Sequence, residues 1–191
     1  MRFFILLLIA YQIINCGEKS KSDEFPDLIF RSDKSLVSQM IAYDKISLFI
    51  PSELKKIVGD QYLKIEKNIE TLDSSYFKTD VLSIYQSLDG MVFIISKIID
   101  EKSIYNSLDK EFELGLTKSF GAKETKKGQF LINGLETVQF ISSKGKIINY
   151  KLYIDVMKKN CYQIDYFVPL ENFVNLQKSM EASISTIKII N

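Results

Sequence analysis

The sequence predicts an α+β protein in which an antiparallel β-sheet, largely a meander, is covered by helices. Three observations lead there. Segments from Gln129 to Val168 alternate apolar and polar residues between short turn signals. Asp89-Gly90 separates two β-branched and aromatic runs. After Pro169, apolar residues recur with the three- and four-residue steps of a helix.

Taken in order, Ile41 to Ile50 reads as one strand with Ile46, Leu48 and Ile50 on one face, ended by Pro51, which cannot donate to a ladder. Ser52 to Leu72 reads as helix interrupted at Gly59. Asp80–Gln86 and Met91–Ile99 read as a hairpin around Asp89-Gly90, since glycine tolerates the positive φ of a tight turn. Ser103 to Phe120 places Ile104, Leu108, Phe112 and Leu116 on one helical face, and Gly121 is placed to stop the helix. In the meander, Asn133-Gly134, Lys144-Gly145 and Lys158-Lys159-Asn160 mark three turns. Ile148, Tyr150, Leu152, Ile154 and Val156 alternate with Asn149, Lys151, Tyr153 and Asp155, which predicts one apolar and one mixed face. Tyr162, Ile164, Tyr166 and Val168 repeat the pattern against Cys161, Gln163 and Asp165. A one-sided sheet needs a cover, and Phe173, Leu176, Met180, Ile184 and Ile187 supply it as the apolar stripe of a closing helix.

The 191 residues contain 25 Lys+Arg, 24 Asp+Glu and no His. That balance argues against a nucleic-acid binder, which needs a basic surface, and 46% hydrophobic residues argue against a disordered chain. Without histidine the commonest acid/base residue and metal ligand is missing. The two cysteines, Cys16 and Cys161, cannot build a disulfide framework.

Arg2 followed by the apolar run Phe3 to Ile14 and a polar stretch from Asn15 has the layout of a secretory signal peptide, too short to span a bilayer. Ile13-Ile14-Asn15-Cys16 resembles the lipobox of bacterial lipoproteins, with Asn15 where that family usually has Gly, Ala or Ser. The resemblance implies cleavage after residue 15, lipidation of Cys16 and a membrane anchor of two or three acyl chains. In the same resemblance, Gly17 after the cysteine, rather than Asp, permits export to the outer membrane, which is expected ahead of the inner membrane. Removal of residues 1–15 takes Arg2 and leaves 24 basic against 24 acidic side chains. Residues 16–39, rich in Ser, Lys, Asp and Glu, read as a lipidated N-terminus and flexible tether. Within it, Leu28-Ile29-Phe30 either docks on the domain or is part of the linker. Residues 40–191, about 150 residues, suffice for a single core.

The strand ended by Pro51, helix, hairpin, helix, meander and closing helix resemble the Mog1/PsbP-like fold. The matching segments are Ile46-Ser47-Leu48-Phe49-Ile50-Pro51, Ile132-Asn133-Gly134-Leu135, Tyr162-Gln163-Ile164-Asp165-Tyr166 and Ile184-Ser185-Thr186-Ile187. The resemblance implies a non-enzymatic interaction module, and no functional residue carries over with it.

The search for chemistry yields little. Ser-His-Asp and Cys-His arrangements are impossible, and Ser83 or Ser96-Lys97 reads as strand rather than dyad. Gly115 to Lys123 lacks phosphate-loop spacing. Acidic pairs such as Asp23-Glu24, Asp100-Glu101 and Glu111/Glu113 read as solvated. Cys161 reads first as a small filler and second as a partly exposed thiol beside Lys158 and Lys159. Tyr76-Phe77, Tyr105, Tyr153 and Phe167 are the candidates for an aromatic surface patch. No cofactor or metal is expected. The leading reading is a lipid-anchored interaction protein of the bacterial envelope, with its domain in the periplasm or on the cell surface, the membrane reached through Cys16 and an envelope protein as partner. A module for a small apolar or lipid-like ligand between sheet and helix comes second, and a hydrolase using Ser-Lys or carboxylates third.

Overall fold

Asp44 takes a positive φ of 46°, a conformation short polar side chains tolerate. There the segment that reads as one strand from Ile41 to Ile50 folds back as a hairpin, β1 (Val37–Tyr43) and β2 (Ile46–Pro51), with Tyr43 opposite Ile46. In this computed structural model, residue 30 and residues 33–73, 78–99, 108–156 and 160–190 are described. A 3-10 turn at Lys34–Leu36 precedes β1, so ordered structure begins inside the stretch read as tether. Phe30 meets the Phe130 ring edge-on at 6.4 Å.

Only the second half of the segment expected to be helical from Ser52 is helix. Gly59, at φ 70°, separates a two-residue strand, β3 (Lys55–Lys56), from helix α1 (Asp60–Asp73). The Asp89-Gly90 hairpin forms as expected, joining β4 (Lys78–Gln86) to β5 (Val92–Ile99). Helix α2 (Lys110–Phe120) begins where the Asp109 carboxylate accepts from the Phe112 amide at 3.0 Å, a cap that stabilises such a start by about 1 kcal/mol. It ends at Gly121, whose left-handed backbone lets the Gly121 and Ala122 amides satisfy the Lys118 and Thr117 carbonyls. The Ile104 end of the expected helix lies outside the described residues.

The meander forms in full: β6 (Thr125–Ile132), β7 (Leu135–Lys144), β8 (Ile147–Val156) and β9 (Asn160–Pro169). Lys158 and Lys159 of its third turn lie outside the described residues. Helix α3 (Phe173–Ser185) follows a 3-10 turn at Leu170–Asn172, and β10 (Lys188–Ile189) closes the chain. One sheet has the order β3-β4-β5-β9-β8-β7-β6, the other β1-β2-β10, with antiparallel neighbours throughout.

The main core lies where α3 and the small sheet cover one face of the large sheet. Ile46, Leu48, Ile50, Leu176, Met180 and Ile184 pack there against Phe93, Ile95, Leu152, Ile154, Ile164 and Tyr166. The mixed face of the sheet is covered as well. Helix α2, with Leu108 just before its cap, covers the second face, Leu108, Phe112 and Leu116 lying on Val138, Phe140 and Tyr153, while α1 brings Tyr62 and Ile65 to Val81, Ile84 and Ile94. Polar residues of the mixed face, Asn149, Lys151, Gln163 and Asp165, are therefore buried.

Candidate functional site

Three features follow from this packing: a polar seam under α2, a groove beside β3, and a run of exposed apolar residues at one end of the large sheet. Adjacent strands put Asn149 and Lys151 of β8 beside Phe167 and Asp165 of β9 on the α2 face. Asp165 is 1% exposed and Lys151 7%. The Asp165 carboxylate accepts from Lys151 Nζ at 3.2 Å, Asn149 Nδ2 at 3.0 Å and Gln163 Nε2 at 2.8 Å. A charge removed from water needs this degree of pairing. Beside it, a hydroxyl run links Thr117, Thr125 and Ser142 at 2.7 and 2.8 Å.

Leu116, Ser119, Phe120, Ser142, Asn149, Lys151 and Phe167 enclose a cavity of about 30 Å³ next to the ion pair. That is room for a water or two, far below the several hundred Å³ of an organic-ligand site. The space between α3 and the sheet, where an apolar ligand would sit, is filled by Leu176, Met180 and Ile184, none more than 4% exposed.

The groove is larger, about 510 Å³, and open. Lys55, Lys56, Ile57, Val58, Gln61, Gln86, Ser87 and Leu88 line it. It exists because β3 is only two residues long at the sheet edge, pairing Lys55 with Gln86 and Lys56 with Tyr85. Gln61 Nε2 donates to Gln86 Oε1 across 3.1 Å, and the Ile57 backbone amide to the Ile84 carbonyl at 2.9 Å. Val58 is 73% and Leu88 95% exposed, so the groove presents apolar side chains beside two lysines.

The residues singled out by sequence fall as follows. Cys16, the lipidation site, lies outside the described residues, as do Tyr76, Phe77 and Tyr105. Tyr153 is fully buried, edge-on to Phe112 and Phe140, which removes it from any surface patch. Phe167 packs on Phe120 at 6.2 Å and lines the small cavity. Cys161 is 8% exposed among Ile98, Leu108 and Phe112; burial, with Asp155 nearby, pushes its thiol well above the usual range, so it is a neutral filler. Ser96 and Lys97 point to opposite faces of β5, where Lys97 pairs with Asp44 at 3.1 Å and Ser96 Oγ is buried with no hydrogen-bond partner. Ser83 Oγ accepts from the Tyr43 hydroxyl.

Neither the seam nor the groove was legible in the sequence. Lys151 and Asp165 occupy what alternation marks as the outer face, and Lys55 to Val58 read as helix. The one available signal was Gly59, whose positive φ breaks the helix and frees the preceding residues.

No family model and no curated protein matches the sequence. Among solved structures, LpqN, involved in cell envelope biogenesis of Mycobacterium tuberculosis, is similar with 11% identity over 76% of this chain and 83% of its own, at a TM-score of 0.49. CyanoP, the cyanobacterial PsbP of Synechocystis sp. PCC 6803, is similar with 11% identity over 92% of this chain and 99% of its own, at 0.46. A protein of Bacteroides thetaiotaomicron is similar with 12% identity over 76% of this chain and 45% of its own, at 0.41. These are likenesses of an α+β, antiparallel fold, and no residue, ligand or partner carries over from them.

Proposed function

We propose that this chain is a lipid-anchored bacterial lipoprotein of the cell envelope whose Mog1/PsbP-like domain is a non-catalytic protein-interaction module. In this reading residues 1–15 are a signal peptide, Cys16 carries the lipid, and the domain stands outside the cytoplasm on the outer membrane. Two or three acyl chains anchor durably, where one binds only marginally, so the domain's surface is free for a partner. The observation that carries the docking role is the groove beside β3, where Val58 and Leu88 stand exposed beside Lys55 and Lys56. Its apolar wall and paired lysines suit an extended protein segment that combines apolar and acidic side chains.

Two measurements test this. Cys16→Ala is expected to yield protein without the lipid mass that no longer fractionates with membranes; continued lipidation would sink the anchor. Cross-linking and pull-down from native membranes is expected to recover an envelope protein with the parent chain and to lose it with Val58→Asp/Leu88→Asp. Both positions are exposed, so melting should hold. Equal recovery with a folded double variant would overturn the groove as the docking surface.

A further inference from the structure

We infer that the free edge of β1 is a self-association surface, on which a second copy of this chain adds antiparallel and joins two three-stranded sheets into one. This goes beyond the groove and the lipid anchor and requires neither.

Among the described residues the two sheets end in the edges β3, β6, β1 and β10. An open edge is a template for another strand, and proteins blunt it by keeping it short or by placing lysine on it. β3 and β10 are two residues long, and β6 carries Lys126 and Lys127. β1 has neither device: its seven residues, Val37 to Tyr43, include no charge, proline or glycine. A register shift at Ser38 ends the regular edge on one side and the Asp44 turn ends it on the other, which leaves Gln39 to Tyr43.

The direction of its backbone groups follows from the neighbouring strand. The Phe49 amide donates to Thr186 Oγ1 at 2.8 Å, and the Phe49 carbonyl accepts from Ser183 Oγ at 2.6 Å. Both groups therefore point away from β1, so Met40 and Phe49 face each other as a non-hydrogen-bonded pair. Alternation gives Ala42 the same relation to Ser47. The N–H and C=O of Met40 and Ala42 thus aim outward, and no described residue pairs with them. Met40 is 54% exposed and Ala42 is exposed beside it. Ile41 between them is buried in the main core, and the Tyr162 hydroxyl donates to the Tyr43 carbonyl at 3.2 Å, so the edge is held rigid before anything binds.

The strand is self-complementary, which identifies the occupant. A copy turned about a two-fold axis at Ile41 sets Met40 opposite Ala42 and Ala42 opposite Met40, and each pair exchanges two hydrogen bonds. The long Met40 side chain then lies over a small one. Gln39 faces Tyr43, so no charges meet along the paired stretch. Beyond it the ends hold Asp33-Lys34 and Asp44-Lys45, one acid and one base each, and antiparallel pairing lays one end beside the other.

The test uses the chain from residue 16 with Cys16→Ser, so that no acyl chain attaches and the buried Cys161 is the one native thiol. Sedimentation velocity over a concentration series is expected to show a monomer passing to a dimer. Ala42→Pro removes one outward N–H per copy and leaves the ladder to β2 intact; loss of two of the four bonds should weaken the dimer roughly 30-fold. Met40→Lys, at an exposed position, supplies the missing blunting charge and should also weaken it, with circular dichroism melting checking that both variants fold. Register is read by mixing Met40→Cys with Ala42→Cys under oxidised glutathione. The mixed disulfide dimer should form well ahead of the dimer of either variant with itself. A monomer at every concentration, or unchanged dimerisation by both folded variants, overturns the inference. So does cross-linking of Met40→Cys with itself as readily as with Ala42→Cys, or a monomeric chain whose β1 edge instead captures a strand of another protein.

Discussion

Replacing Lys151 by Met keeps the length of the side chain and removes its charge, leaving the Asp165 carboxylate buried at 1% exposure with only the Asn149 and Gln163 amides as donors. Breaking one side of a buried pair in this way costs about 3–5 kcal/mol, a large share of the 5–15 kcal/mol that holds typical domains together. For a domain of this size that is a fall in melting temperature of roughly 6–20 °C. The pair itself is a different quantity, because water would solvate both ions in the unfolded chain. Asp165→Leu added to Lys151→Met removes the orphaned charge, so the double variant should regain part of the loss, with a coupling of about 2 kcal/mol or more. Urea denaturation of the parent, both single variants and the double variant, followed by circular dichroism, measures the cycle. A loss under about 1 kcal/mol for Lys151→Met, or additivity of the two substitutions, would refute the reasoning that α2 seals this pair from water.

Three further outcomes are expected. Ile184→Asp puts a carboxylate into the core between α3 and the large sheet, where Ile184 is 2% exposed; it should cost about 4 kcal/mol or more in a denaturant titration. Cys161 should resist maleimide in the native protein and react once denaturant is added, since its thiol is buried and held neutral; rapid native labelling would show that α2 does not cover it. Burial pushes the Tyr62 and Tyr85 hydroxyls up to about 12, Glu66 reinforcing the first and Tyr43 the second. Folding thus favours the neutral phenols, a contribution fully present below about pH 10 and lost as pH rises through 12. Melting temperature should fall across that window, with part of the tyrosinate absorbance appearing only as the chain unfolds.

The sequence by itself determined what depends on near neighbours. Alternation placed Leu152, Ile154, Ile164 and Tyr166 on one face. Asn133-Gly134 and Asp89-Gly90 marked hairpins, Gly121 marked a helix stop, and the spacing of Leu176, Met180 and Ile184 described a packing stripe. Each is a consequence of a backbone period or an allowed φ, and the structure contains each of them. Only the tertiary structure decided what α1 and α2 cover. A strand's mixed face is written with the same residues whether water or a helix lies over it, so the sequence did not show that Lys151, Asp165, Gln163 and Tyr153 are buried. Their burial follows from Leu108, just before α2, and Phe112 and Leu116 of that helix, which precedes β6 in the chain and lies across the sheet in space. The groove is likewise a product of assembly, because Val58 and Leu88 line one surface only when distant segments meet at the edge of the large sheet.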